Sequence, residues 1–161
     1  MSQPTQPKPL KYLLFDLDGT LYPADGGYVK HTRQQLFQYI FDQGWVEKRE
    51  DAEAFWRPYF TKYNQTFRGL TEAGVKIDYD DYWATCRRGT ADFLKEDKEL
   101  RSFLESLPAK KYVVSNCNEK EVIEALECLG VLDLFETPIY GAKAMLPYCK
   151  PEVEAFTKIL D

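Results

Sequence analysis

Two carboxylates, Asp16 and Asp18, stand two residues apart where a short apolar run ends in a glycine turn, in the stretch Tyr12-Leu13-Leu14-Phe15-Asp16-Leu17-Asp18-Gly19-Thr20-Leu21-Tyr22. Carboxylates this close disfavour joint ionisation unless a cation or a proton intervenes. The chemistry they support is either the holding of a hard divalent metal through oxygen, or one acid kept protonated beside an ionised one. Phosphoryl transfer can use both. One carboxylate attacks phosphorus, the other moves the leaving-group proton, and Mg2+ screens the charge. An isolated Asp-x-Asp-Gly is more simply an Asx turn with a solvated acid, so the elements around it decide its meaning.

The preceding Tyr12-Leu13-Leu14-Phe15 reads as a strand buried on both faces, as in a parallel sheet covered by helices. Ligands in such sheets bind beyond the carboxyl ends of the strands, which is where Asp16 falls. Residues 25–96 show no second buried strand. They carry helical stripes instead: Leu36, Phe37, Ile40 and Phe41, then Ala52, Phe55, Trp56, Tyr59, Phe60 and Tyr63, then Tyr82, Trp83 and Cys86. Pro58 interrupts the second stripe, where a kink or a junction of two helices is expected. The acidic run Asp78 to Asp81 reads as a helix start.

From Asp97 onward helix and strand alternate. Leu100, Phe103, Leu104 and Leu107 mark a helix, Tyr112-Val113-Val114 a second buried strand, and Asn118 with Glu121 a helix start closed at Gly130. A third strand is expected near Thr137 to Tyr140, and a last helix after Lys150-Pro151. Right-handed crossovers place these strands in one parallel sheet, an α/β architecture. The expected division is a disordered leader over 1–10, a core from 11–24 and 97–161, and a helical cap over 25–96. Ser115 and Asn116 end the second strand, where a hydroxyl and the N–H groups of the next helix can take phosphoryl oxygens.

Composition narrows the classes. The 161 residues, 44% hydrophobic and 15% aromatic, suffice for a packed core. A net charge of -5 disfavours a duplex nucleic-acid binder, which needs a basic face. Cys86, Cys117, Cys128 and Cys149 form no Cys-x-x-Cys pair and His31 is alone, so zinc spacing is missing and reduced thiols are expected. No run is long enough to span a membrane and the start is not signal-like, which points to a cytoplasmic protein.

The stretch Asp16 to Tyr22 behind an apolar strand resembles the first motif of the haloacid-dehalogenase-like phosphohydrolases. The resemblance implies a Rossmann-like core with Asp16 as nucleophile, Asp18 as general acid and base, and Mg2+ held by Asp16, Asp18 and the Leu17 backbone carbonyl. The dehalogenase branch lacks the second Asp, so phosphate is favoured over halide. Ser115-Asn116 resembles the second motif and Lys150 the third, which implies that Ser115, Asn116 and Lys150 bind the phosphate. The segment 25–96 is similar to the helical cap of that family. Lys98 to Arg101, Leu126 to Phe135 and Cys149 to Phe156 are similar to pyrimidine 5'-nucleotidase-like members, implying nucleoside monophosphates or small sugar phosphates as substrates. Arg68 is a candidate substrate contact.

The family pattern continues into a further strand carrying more acids, whereas this sequence stops at Asp161. The resemblance therefore implies a chain truncated at its C-terminus, a weaker metal shell, and a first strand exposed at an edge, open to self-association. Two functions fit: an Mg2+-dependent phosphatase, or a catalytically weak or inactive binding or regulatory protein, or fragment, of the same fold.

Overall fold

In the computed structural model, which describes residues 10–160, the apolar run forms β1 (Tyr12–Phe15), paired in parallel with β2 (Lys110–Val113). The register sets Tyr12 opposite Lys110 and Phe15 opposite Val113. Among the described residues these are the only two strands in the sheet. The expected third strand contracts to one parallel bridge, Val114 to Tyr140, held by Tyr140 N–H to Val113 C=O (3.0 Å) and Ser115 N–H to Tyr140 C=O (2.8 Å). Pro138, without an N–H, cannot extend that ladder. β1 also departs from the reading of a strand buried on both faces. Leu13 and Phe15 are half-buried, but Tyr12 and Leu14 point to solvent, 59% and 48% exposed.

Between the strands the chain runs through α1 (Gly27–Asp42), a 3-10 turn at Arg49–Asp51, α2 (Ala52–Tyr63), α3 (Thr66–Glu72), α4 (Tyr79–Cys86), α5 (Thr90–Phe93) and α6 (Lys98–Ser106). α7 (Glu119–Leu129), a 3-10 turn at Leu132–Leu134, α8 (Ala142–Met145) and α9 (Val153–Leu160) follow β2. Side chains start several helices as their sequences suggest. Asp78 accepts from Asp81 N–H, Asp97 from Leu100 N–H and Asn118 from Lys120 N–H, at 2.8, 2.8 and 2.9 Å. α2 continues unbroken through Pro58, and the chain leaves the helix at Asn64, in the left-handed region at φ 51°. Burial of Ala52 and Trp56 compensates α2 for the hydrogen bond that proline removes. α3 then folds back so closely that a Cβ on Gly69 would lie 2.5 Å from the Tyr59 carbonyl oxygen.

One apolar cluster runs through both segments. It joins Leu36, Ile40 and Trp56 to Leu17, Leu104, Val113, Val122 and Leu126. Packing of the inserted helices and of the sheet is therefore one cooperative unit. No described helix is long and apolar enough to cross a membrane.

Two substitutions probe this framework. Leu14→Lys charges the open face of an edge strand and is expected to change stability by less than about 1 kcal/mol while lowering concentration-dependent self-association in light scattering. Glu121, the expected partner of Asn118 in a capping box, is instead buried with Oε2 unpartnered, and burial raises its carboxyl above the usual range. Its charge therefore opposes folding once pH rises above about 4, the unfolded-state value, and the penalty grows until the folded-state value is passed. Glu121→Gln is expected to raise Tm at pH 7.5 and to lose that advantage at pH 4.

Candidate active site

The turn after β1 is built around Leu17, whose side chain is fully buried and whose carbonyl accepts from Thr20 N–H (3.2 Å) and Leu21 N–H (3.0 Å). Gly19 makes the turn possible, with φ at +77° and space for a Cβ only 3.1 Å from that of Ala24. The Leu17 carbonyl, expected to ligate a metal, is thus met by two amides of its own turn in this structure. Asp16 and Asp18 are left partly exposed on either side of it, at 45% and 36%.

Each carboxylate meets its own cation. Lys150 Nζ lies 2.7 Å from Asp16 Oδ1, which also accepts from Leu17 N–H at 2.8 Å. Arg87 Nη1 lies 2.8 Å from Asp18 Oδ1, which accepts from the Tyr22 hydroxyl at 2.5 Å as well. Arg87 Nη2 donates to the Tyr22 oxygen at 3.1 Å, and its guanidinium stands 5.1 Å from the centre of the Tyr28 ring. Burial works against the charge of Arg87, while Cys117, Asp18, Tyr22 and Tyr28 around it favour the cation, and the net direction is upward. Burial likewise drives the Tyr22 hydroxyl far above its ordinary range, so it is a donor at any working pH. It also pushes the Cys86 and Cys117 thiols up to about 12, which makes them poor nucleophiles.

A cavity of about 700 Å3 lies between the inserted helices and the strand ends. Both aspartates, Lys150 and Arg87 line it, with Arg33 as a third cation, 5.4 Å from the Trp56 ring centre. The far wall is apolar and aromatic, from Val29, Leu36, Trp56, Phe60, Tyr82 and Trp83. Three cations against two carboxylates, backed by an apolar wall, suit an anion carrying an organic group.

The remaining sequence candidates separate. Ser115 is fully buried, its Oγ accepting from Cys117 N–H at 3.0 Å, and it is not among the residues lining the cavity. Asn116 lines the cavity, but both its side-chain donors are committed, to Lys150 C=O (2.9 Å) and Asn64 C=O (3.3 Å). Any phosphate contact from Asn116 therefore falls to its backbone N–H. Arg68 is outside the cavity. It pairs with Glu72, lies 3.6 Å from Glu152, and covers the Tyr63 ring at 4.9 Å, tying α3 to the loop before α9. Arg87 and Arg33 escape a reading of the sequence, and Tyr22 enters it only as the end of the first motif. The only local signal is a doubled arginine, Arg87-Arg88, at the end of an otherwise aromatic helix.

For a hard divalent ion the donors are few. Among the described residues no three His, Cys, Asp or Glu side chains cluster. Asp16 and Asp18 each keep one carboxylate oxygen without a hydrogen bond among those residues, and Mg2+ accepts a shell completed by water and phosphate, so the pair fits that ion.

Arg87→Met removes the only cation paired with Asp18 among the described residues. Since Asp18 stays partly hydrated, the expected loss is about 1–2 kcal/mol, below that of a fully buried pair, measured by urea unfolding.

Comparison with known proteins bears on the family and the fold. The haloacid dehalogenase-like hydrolase profile matches residues 13–161. Phosphate metabolism protein 8 of Saccharomyces cerevisiae is 26% identical over 140 residues, covering 81% of this chain and 43% of that protein, so the chain spans less than half of its length. HAD-hydrolase YfnB from Bacillus subtilis, solved bound to magnesium, aligns with 94% of this chain and 72% of its own at a TM-score of 0.52 and 19% identity. L-2-haloacid dehalogenase from Xanthobacter autotrophicus, with chloropropionic acid covalently bound, aligns with 93% of this chain and 63% of its own at 0.50 and 16%. At these identities the two structures speak for the fold.

Proposed function

Because the chain belongs to the haloacid dehalogenase-like hydrolase family, we propose that it is an Mg2+-dependent phosphomonoester hydrolase working through an aspartyl phosphate on Asp16. The observation that carries this reading is a pair of carboxylates facing one cavity, each matched by its own cation, Lys150 on Asp16 and Arg87 on Asp18. Asp16 attacks phosphorus as the bond to the ester oxygen breaks, and Lys150 offsets the charge gathered on Asp16 and the phosphoryl group. Asp18 gives its proton to the leaving oxygen from Oδ2, the oxygen that Arg87 and Tyr22 leave free. It then takes a proton from the water that attacks the aspartyl phosphate, which releases orthophosphate and restores Asp16. Mg2+, when held by Asp16 and Asp18 with water and phosphoryl oxygens, supplies further charge screening.

The substrates we propose are nucleoside monophosphates or small sugar phosphates. The aromatic wall supports an organic leaving group of that size, and the excess of cations supports its phosphate.

With p-nitrophenyl phosphate and Mg2+, the protein is expected to release nitrophenol, and Asp16→Asn to lower kcat by about 1,000-fold or more, since the nucleophile is lost outright. EDTA is expected to suppress the rate and added Mg2+ to restore it. An absence of turnover at high enzyme concentration would instead favour a binding or regulatory protein built on the same fold.

A further inference from the structure

The Asn116 carboxamide is fully engaged, and both of its partners lie at a junction. Toward the loop before α9 it closes a two-point clamp on one residue: Oδ1 accepts from Lys150 N–H at 2.8 Å and Nδ2 donates to Lys150 C=O at 2.9 Å. Toward the inserted helices Nδ2 also donates to Asn64 C=O at 3.3 Å, and the Asn116 carbonyl accepts from Gln65 Nε2 at 2.6 Å. Asn64 and Gln65 form the turn between α2 and α3, and Gln65 is buried, at 4% exposed. The backbone held by the clamp is that of the lysine whose Nζ meets Asp16 at 2.7 Å. An amide that fixes both backbone polar groups of one residue restricts where its side chain can start.

We propose that Asn116 is a positioning residue: it transmits docking of the Asn64–Gln65 turn to Lys150, so that the lysine is set against Asp16 only while the inserted helices are seated on the core. Its part in turnover rests on the phosphatase reading above. The positional part does not. Asn116→Asp keeps an acceptor for Lys150 N–H but turns an oxygen toward the Lys150 and Asn64 carbonyls. Gln65→Leu, a milder change, removes the side-chain contact from the turn and leaves that of the Asn64 carbonyl.

Two measurements test the proposal. In the first, acetylation of Lys150 is followed by mass spectrometry on the folded protein, with the exposed Lys62 as internal standard. Both variants are expected to raise the Lys150 rate several-fold, while Leu129→Ala, which loosens a distant buried position, leaves it unchanged. Unchanged labelling in both variants, or the same rise in Leu129→Ala, overturns the proposal whether or not the protein is a phosphatase. In the second, hydrolysis of p-nitrophenyl phosphate is measured across a double-mutant cycle. Asn116→Asp is expected to lower kcat by roughly 10- to 100-fold with lysine at 150, and by less than about threefold in a Lys150→Met background. Equal losses in both backgrounds would show that Asn116 acts on the phosphate directly and overturn the relay. A wild type without turnover removes the phosphatase reading and leaves the labelling result to decide.

Discussion

The site depends on two carboxylates that share one turn, each matched by its own cation. Asp16 and Asp18 are like charges two residues apart and both partly exposed, and like charges this near repel. The fold answers with two cations drawn from separate parts of the chain: Lys150, from the loop before α9, and Arg87, from the end of α4. Each is held in turn by groups that do no chemistry. Asn116 grips the Lys150 backbone, while Tyr28 and Thr90 donate to the carbonyl of Arg87. The inserted helices are thus part of the electrostatics of the site as well as its wall.

This arrangement gives the two acids different surroundings although they share a turn. Asp16 faces a lysine, a point charge with rotatable donors that can share itself with a phosphoryl group. Asp18 faces a buried guanidinium and a phenol that is never deprotonated, both fixed on the same oxygen. The second carboxylate oxygen of each takes no hydrogen bond among the described residues. Residue type alone does not distinguish the two acids; their environments do.

The apolar cluster that joins the inserted helices to the sheet explains how such a small sheet supports the site. Two four-residue strands cannot hold a loop to within an ångström by themselves. Leu17, fully buried between Asp16 and Asp18, anchors the turn directly into that cluster, which also contains Trp56 and Tyr82 from the opposite wall of the cavity.

The stretch Phe15 to Tyr22 was legible in the sequence by itself, as were the helical stripes, the caps at Asp78 and Asn118, and the stop at Gly130, because each is a local pattern of period, turn chemistry or hydrogen bonding. Membership of the family followed from the same kind of local motif. What the sequence could not supply were matters of distance. The guanidinium of Arg68, a candidate substrate contact, is paired with Glu72 and Glu152 and covers Tyr63, and the Leu17 carbonyl, a candidate metal ligand, accepts from two amides of its own turn. The sequence presented β1 both as a strand buried on two faces and, from the family pattern, as one exposed at an edge, and it was silent on Arg87, 69 residues from its partner Asp18. Tertiary structure decided these points, because which oxygen a cation reaches depends on how remote segments are packed, and no local pattern encodes that distance.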